Sequence, residues 1–132
     1  MSYAAVYTGL QARLRSVGGL RVLDGEPTAL AQLPAVYSLA DEAEFTTQGA
    51  VRVRRYRTLH RVCVRYQEGY AAEAELIALI DAVYAAFDAD PRLGGAITSG
   101  YASIRDYATG FMTLANTRLR IVDITSEVVD KS

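Results

Sequence analysis

The sequence predicts an α+β domain, an antiparallel four-stranded sheet with two helices on one face, in the order α-β-β-α-β-β. Two segments repeat apolar residues at steps of three and four. Each is followed by two segments that alternate apolar with polar residues or concentrate Val, Tyr and Thr. Turns rich in Gly, Pro, Asp and Asn separate the six. The chain has 132 residues, 51% of them apolar and 22% charged, which excludes a disordered chain and fits one domain over residues 1–132.

Ser2 to Val17 reads as an amphipathic helix, with Tyr3, Val6, Tyr7, Leu10, Leu14 and Val17 on its buried side and Gln11, Arg13 and Arg15 outside it. Ser2 is placed to cap its start and Gly18-Gly19 to end it. Pro34 to Leu39 is a short strand, Asp41 to Gly49 an acidic loop around Phe45, and Val51 to Tyr66 a long strand. Val51 and Val53 are odd-numbered whereas Val62, Val64 and Tyr66 are even, so a bulge or bend is expected near Arg55-Tyr56. Gly69 to Phe87 is the second helix, with a stripe of Ala74, Ile77, Ile80, Val83, Tyr84 and Phe87 that Leu76 widens. Asp90-Pro91 ends it and Leu93-Gly94-Gly95 turns the chain. Ala96 to Tyr107 and Arg118 to Val128 are the last strands, joined through a loop at 110–116 that holds Phe111 and Met112, and the final three residues are expected to fray.

Net charge is −1, which argues against general affinity for nucleic acid, but the charge is sorted into blocks. Residues 24–50 carry five acids and no base, 51–65 six Arg and no acid, and 66–90 six acids and no base. The six are Arg52, Arg54, Arg55, Arg57, Arg61 and Arg65. Three readings stay open for them: contacts with another subunit or partner, a solvated strand face paired with nearby acids, and contact with nucleic-acid phosphates.

Catalytic groups are sparse. His60 is the single histidine and Cys63 the single cysteine, so neither a disulfide nor a Cys-based metal site can form within the chain. A nucleophile needs an adjacent base, but positions three apart on a strand face opposite sides, so His60 and Cys63 do not pair. The acids Glu68, Glu73, Glu75, Asp81, Asp88 and Asp90 follow no metal-loop pattern, and the Gly pairs lack a phosphate loop's spacing. No catalytic residue, cofactor or metal is therefore expected. No apolar run nears the roughly 18 residues of a membrane helix and no signal peptide opens the chain, so a soluble cytoplasmic product is expected.

The element order, the stretch Tyr66-Gln67-Glu68-Gly69-Tyr70, the helix Glu73 to Phe87 and the Asp90-Pro91-Arg92-Leu93-Gly94-Gly95 exit resemble the tail terminator family of long-tailed phages. This family is also called minor tail protein U-like or tail completion, with relatives in gene transfer agents. The resemblance runs from about Tyr3 to Val129 and rests on no catalytic signature. It implies a structural virion protein: a hexameric ring at the neck that caps the tail tube, ends its growth and joins it to the head-side connector or stopper protein, with DNA passing through the opening. Such a ring is assembled in the host cytoplasm and resides at the head–tail junction. The candidate interface residues are Arg52, Arg54, Arg55 and Arg57 with Asp41, Glu42, Glu44 and Phe45, and Phe111 with Met112 in the second loop. A related neck or tube component is a neighbouring possibility. A small α+β ligand-binding or regulatory domain is the alternative from another class, and would show an apolar pocket with a few convergent polar groups.

Overall fold

The structure, a computed structural model, describes residues 2–30 and 32–131. Helix α1 (Tyr3–Arg15) is followed by the two-residue strand β1 (Arg21–Val22) and a long hairpin of β2 (Ala35–Gln48) and β3 (Val51–Arg65). Helix α2 (Ala71–Ala89), a 3₁₀ turn at Leu93–Gly95 and a second hairpin of β4 (Gly100–Leu114) and β5 (Thr117–Lys131) complete the order. The α+β class and all six expected elements are present. The sheet differs: it has five strands, in the order β1-β2-β3-β5-β4, and is mixed, because β1 runs parallel to β2. Arg21 and Val22 pair with Ala35 and Val36, a ladder too short to leave an alternation in the sequence.

Both expected loops are strand. β2 runs through Asp41, Glu42, Glu44 and Phe45 to Gln48, and β4 runs through Phe111 and Met112 to Leu114. The connections are two-residue turns, Gly49-Ala50 and Ala115-Asn116. Ala115 and Asn116 both have positive φ, 49° and 62°, as the tight hairpin turn that follows the twist of its strands requires. The acids of β2 lie on a solvated edge, where polarity reads like a loop. Asp130 and Lys131, expected to fray, are the end of β5; Ser132 lies outside the described residues.

The phase change expected within β3 is absent, since β3 pairs with β5 in one unbroken register from Val53 to Arg65. Even residues of β3 face the helices and odd ones, including Val51 and Val53, face away. The irregularities are instead in the outer strands, between Ala40 and Glu42 in β2 and between Ile104 and Asp106 in β4. Each half of the chain is thus a helix and a hairpin whose outer strand is bulged, and the two hairpins meet at β3 and β5.

Both helices pack on one sheet face. The main core joins Val6, Leu10 and Leu14 of α1 and Leu76, Val83 and Phe87 of α2 to Val36, Val62, Val122, Ile124 and Val128 of the strands. Each such fully buried side chain stabilises the fold by about 2 kcal/mol. Ser2 caps α1, its hydroxyl accepting from the Ala5 amide at 3.2 Å. α2 buries Ala72, Leu76, Leu79, Val83 and Phe87, so its inner stripe is rotated from the expected one, leaving Ile77 and Tyr84 about half exposed. Gln11, expected outside, is buried, and neither polar atom of its amide finds a partner. Opposite the helices a smaller cluster of Tyr37, Cys63, Leu119 and Ile121 is covered by Leu23, Leu30 and Leu33 from the segment before β2.

Candidate functional site

The six-Arg block is divided by strand alternation. On β3 the side chains of Arg52 and Arg54 point to the helix side, and those of Arg55, Arg57, Arg61 and Arg65 to the far side. On the far side Arg57 bridges two carboxylates, Glu42 on β2 and, at 3.0 Å, Glu127 on β5. Arg61 grips Asp123 with two bonds, at 2.7 and 2.9 Å, and is 3.4 Å from the Tyr37 hydroxyl. The Asp123 hydrogen bonds raise the Arg61 pKa further, and burial raises that of Tyr37. These carboxylates come from Glu42 and from β5. The acids of 66–90, counted on as partners, mostly ride on α2 across the sheet, where Glu73 takes Arg120 instead. Arg57 is therefore engaged within the chain, as a reversal of its charge would reveal in the melt.

Toward the turn of the first hairpin the surface changes character. Every residue from Asp41 to Arg52 is exposed, and Phe45 is 67% exposed. The register places Phe45 beside Arg54 and Thr47 beside Arg52, all on the helix side and beyond the start of α1. Phe45 meets the ring of Tyr56 edge-on at 6.0 Å, and Tyr56 in turn packs on Tyr3. Arg54 also lies opposite Asp130, and Arg55 opposite Glu44.

The other candidates are elsewhere. Phe111 sits eleven residues along β4 from Gly100, the residue level with Asp130, so roughly 35 Å of strand separates it from the Phe45 level. It is 55% exposed, with the Arg118 and Arg120 guanidinium groups 4.9 and 4.6 Å from its ring centre, and Arg118 is also 4.7 Å from that of Tyr66. Met112 points to the opposite face, its sulfur near the Tyr37 hydroxyl and Arg61. Phe111 and Met112 therefore do not form one docking patch.

The sequence reading missed a groove between α2 and the open edge strand β4. It encloses about 590 Å³ and is lined by Ile80, Asp81, Tyr84, Ile104, Arg105, Asp106, Tyr107 and Ile124. Tyr84 and Tyr107 are each 56% exposed. The signal was available in α2, which has more large apolar residues than one core-facing stripe accommodates.

His60 and Cys63 lie on opposite faces. His60 is wholly buried under α2, edge-on to Phe87, with Ser38 at 2.7 Å from Nδ1 and Ser126 at 2.7 Å from Nε2. The Ser126 hydroxyl donates to the Thr58 carbonyl, so it accepts from Nε2–H, and the Ser38 hydroxyl donates to Nδ1. Burial depresses the His60 pKa to about 3 and pushes the Cys63 thiol up to about 11. Neither group reaches solvent, so this Ser-His-Ser line joins three strands and meets no substrate. Among the described residues no three His, Cys, Asp or Glu side chains gather as metal ligands, and no helix is long and apolar enough to cross a membrane. Compared with known proteins, the chain matches no family model and no curated protein.

Proposed function

We propose that this chain is a structural subunit of a phage or phage-like tail, assembling head to tail into a ring, hexameric as its resemblance to tail terminators implies. The ring caps the tail tube, ends its elongation and offers its other side to the head-side connector or stopper protein, while DNA passes through the opening. No catalytic step, cofactor or metal belongs to this role. The observation that carries it is the distribution of exposed aromatic side chains: Phe45 lies on the β2 side of the sheet, Tyr84 and Tyr107 on the β4 side. Patches on opposite edges of one subunit suit a heterologous contact, which closes into a ring when the rotation per subunit allows. Incubating the protein with tail tubes or tailless particles and imaging them by electron microscopy tests it. A six-fold ring at the head-proximal end of each tube is the expected result; bare tube ends refute it.

The α2–β4 groove favours a second reading, a small ligand-binding domain, because its volume and mixed apolar and charged lining match those of ligand sites. Bare tube ends together with a compact monomer whose melting shifts with a small molecule would select it.

A further inference from the structure

We infer that the turn of the β2–β3 hairpin of one copy docks into the α2–β4 groove of the next, with Phe45 as its anchor and Arg52 beside it. This inference rests on the ring reading and names the contact that builds the ring. The two surfaces match in chemistry. From Phe45 to Arg55 the hairpin carries three Arg and no acid, with one large exposed aromatic ring. The groove offers Ile80 and Ile104 as apolar lining with Tyr84 and Tyr107 beside them; among the described residues Asp81 is its free acid, while Asp106 lies 3.9 Å from Arg105, the one base of the lining. Asp88 extends the acidic line on the same face of α2, seven residues on from Asp81 and four from Tyr84. An aromatic anchor in an apolar cleft, ringed by opposite charges, is the form taken by the dominant contacts of protein interfaces. Guanidinium groups also stack favourably on Tyr faces.

The alternative way to join two open sheet edges is direct strand pairing between β2 and β4. Both edges are bulged, at Asp41 and at Arg105, and bulges twist an edge away from a new strand. Side-chain docking is what remains. The contact uses one edge of each copy and leaves the other edge for the next neighbour, so it propagates around a ring.

A charge swap tests it. Arg52→Glu alone and Asp81→Arg alone are each expected to weaken self-association about tenfold or more by analytical ultracentrifugation. An equimolar mixture should recover it, because the Glu turn then meets the Arg groove and the wild-type turn meets the wild-type groove. Phe45→Ala should weaken association with an unchanged melting temperature. As a second measurement, a Phe45→Cys and Tyr84→Cys double variant treated with a short bis-maleimide should give a ladder of covalent multimers. Cys63 is buried and does not contribute. Multimers that form as in the wild type in all variants, or a mixture that fails to recover, overturn the contact while leaving the ring standing. A wild-type chain that stays monomeric both alone and on tail tubes overturns the ring and the contact together.

Discussion

Lowering the pH from 7 to 5 is expected to remove about 2 kcal/mol of stability, and to do so through one residue. His60 is the only histidine of the chain, and its folded-state pKa of about 3 lies below the ordinary 6.5. With a depressed folded pKa the unfolded state binds the proton more readily, so stability is complete above pH 6.5 and is lost as the pH falls toward 3. At pH 7 the unfolded imidazole is about one quarter protonated and at pH 5 almost wholly so, while the buried ring stays neutral at both. The difference in proton binding, integrated over the interval, gives about 2 kcal/mol. Comparison with a variant that lacks the imidazole isolates the histidine's share of the change. The assay is urea denaturation at pH 7, 6 and 5, comparing wild type with His60→Gln, whose amide is able to donate to one serine and accept from the other. The wild type should lose stability with no change in slope against urea, and the variant should stay flat. A flat wild type, or a variant with the same loss, would refute the placement of a neutral imidazole between Ser38 and Ser126.

Three further substitutions probe the fold at other points. Arg61→Ala should cost about 2 kcal/mol by chemical denaturation, because it leaves Asp123, whose side chain is only a quarter exposed, without its two-bond partner. Gln11→Met should raise stability by about 1 kcal/mol, since a side chain of similar shape replaces an amide whose two polar atoms are buried and unbonded; a loss would mean that the amide is satisfied in solution. Gly100→Ala should cost more than about 3 kcal/mol, visible as a large fall in melting temperature. Its φ is +149°, and a Cβ there would lie 1.8 Å from the Val129 carbonyl oxygen, which β5 cannot move aside.

The fold class and the order of elements were legible because helical and strand periods differ and persist for many residues. Where the reading failed, the signal was local and ambiguous. A polar stretch such as Asp41 to Gln48 is read as a loop, yet an edge strand that projects past the helices has no buried face to impose alternation. The shift between Val53 and Val62 was real, but it reports which face each valine takes: Val53 is buried on the side away from the helices and Val62 beneath them. The single bulge that it suggested is not in β3; the irregularity at this level is in its partner β2, between Ala40 and Glu42, where a single sequence does not show it. In α2 the apolar residues outnumber what one core-facing stripe needs, so periodicity alone did not choose between the stripe through Leu79 and the one through Ile77.

The candidate surface was half legible, for a reason that applies to any charged strand. A run of like charges along a sequence becomes a patch on a helix or in a loop, but a strand deals successive residues to opposite faces. Arg57 and Arg61 fall on the face where β5 presents Glu127 and Asp123, and they hold the sheet together. Arg52 falls on the other face, beyond the helices, and no carboxylate of the described residues is paired with it in an ion pair. The block is therefore neither wholly structural nor wholly an interface. Its division follows from where the carboxylates of β2 and β5 lie, so the residues that test assembly are those nearest the turn, Phe45 and Arg52, and reversing the charge of Arg57 tests folding.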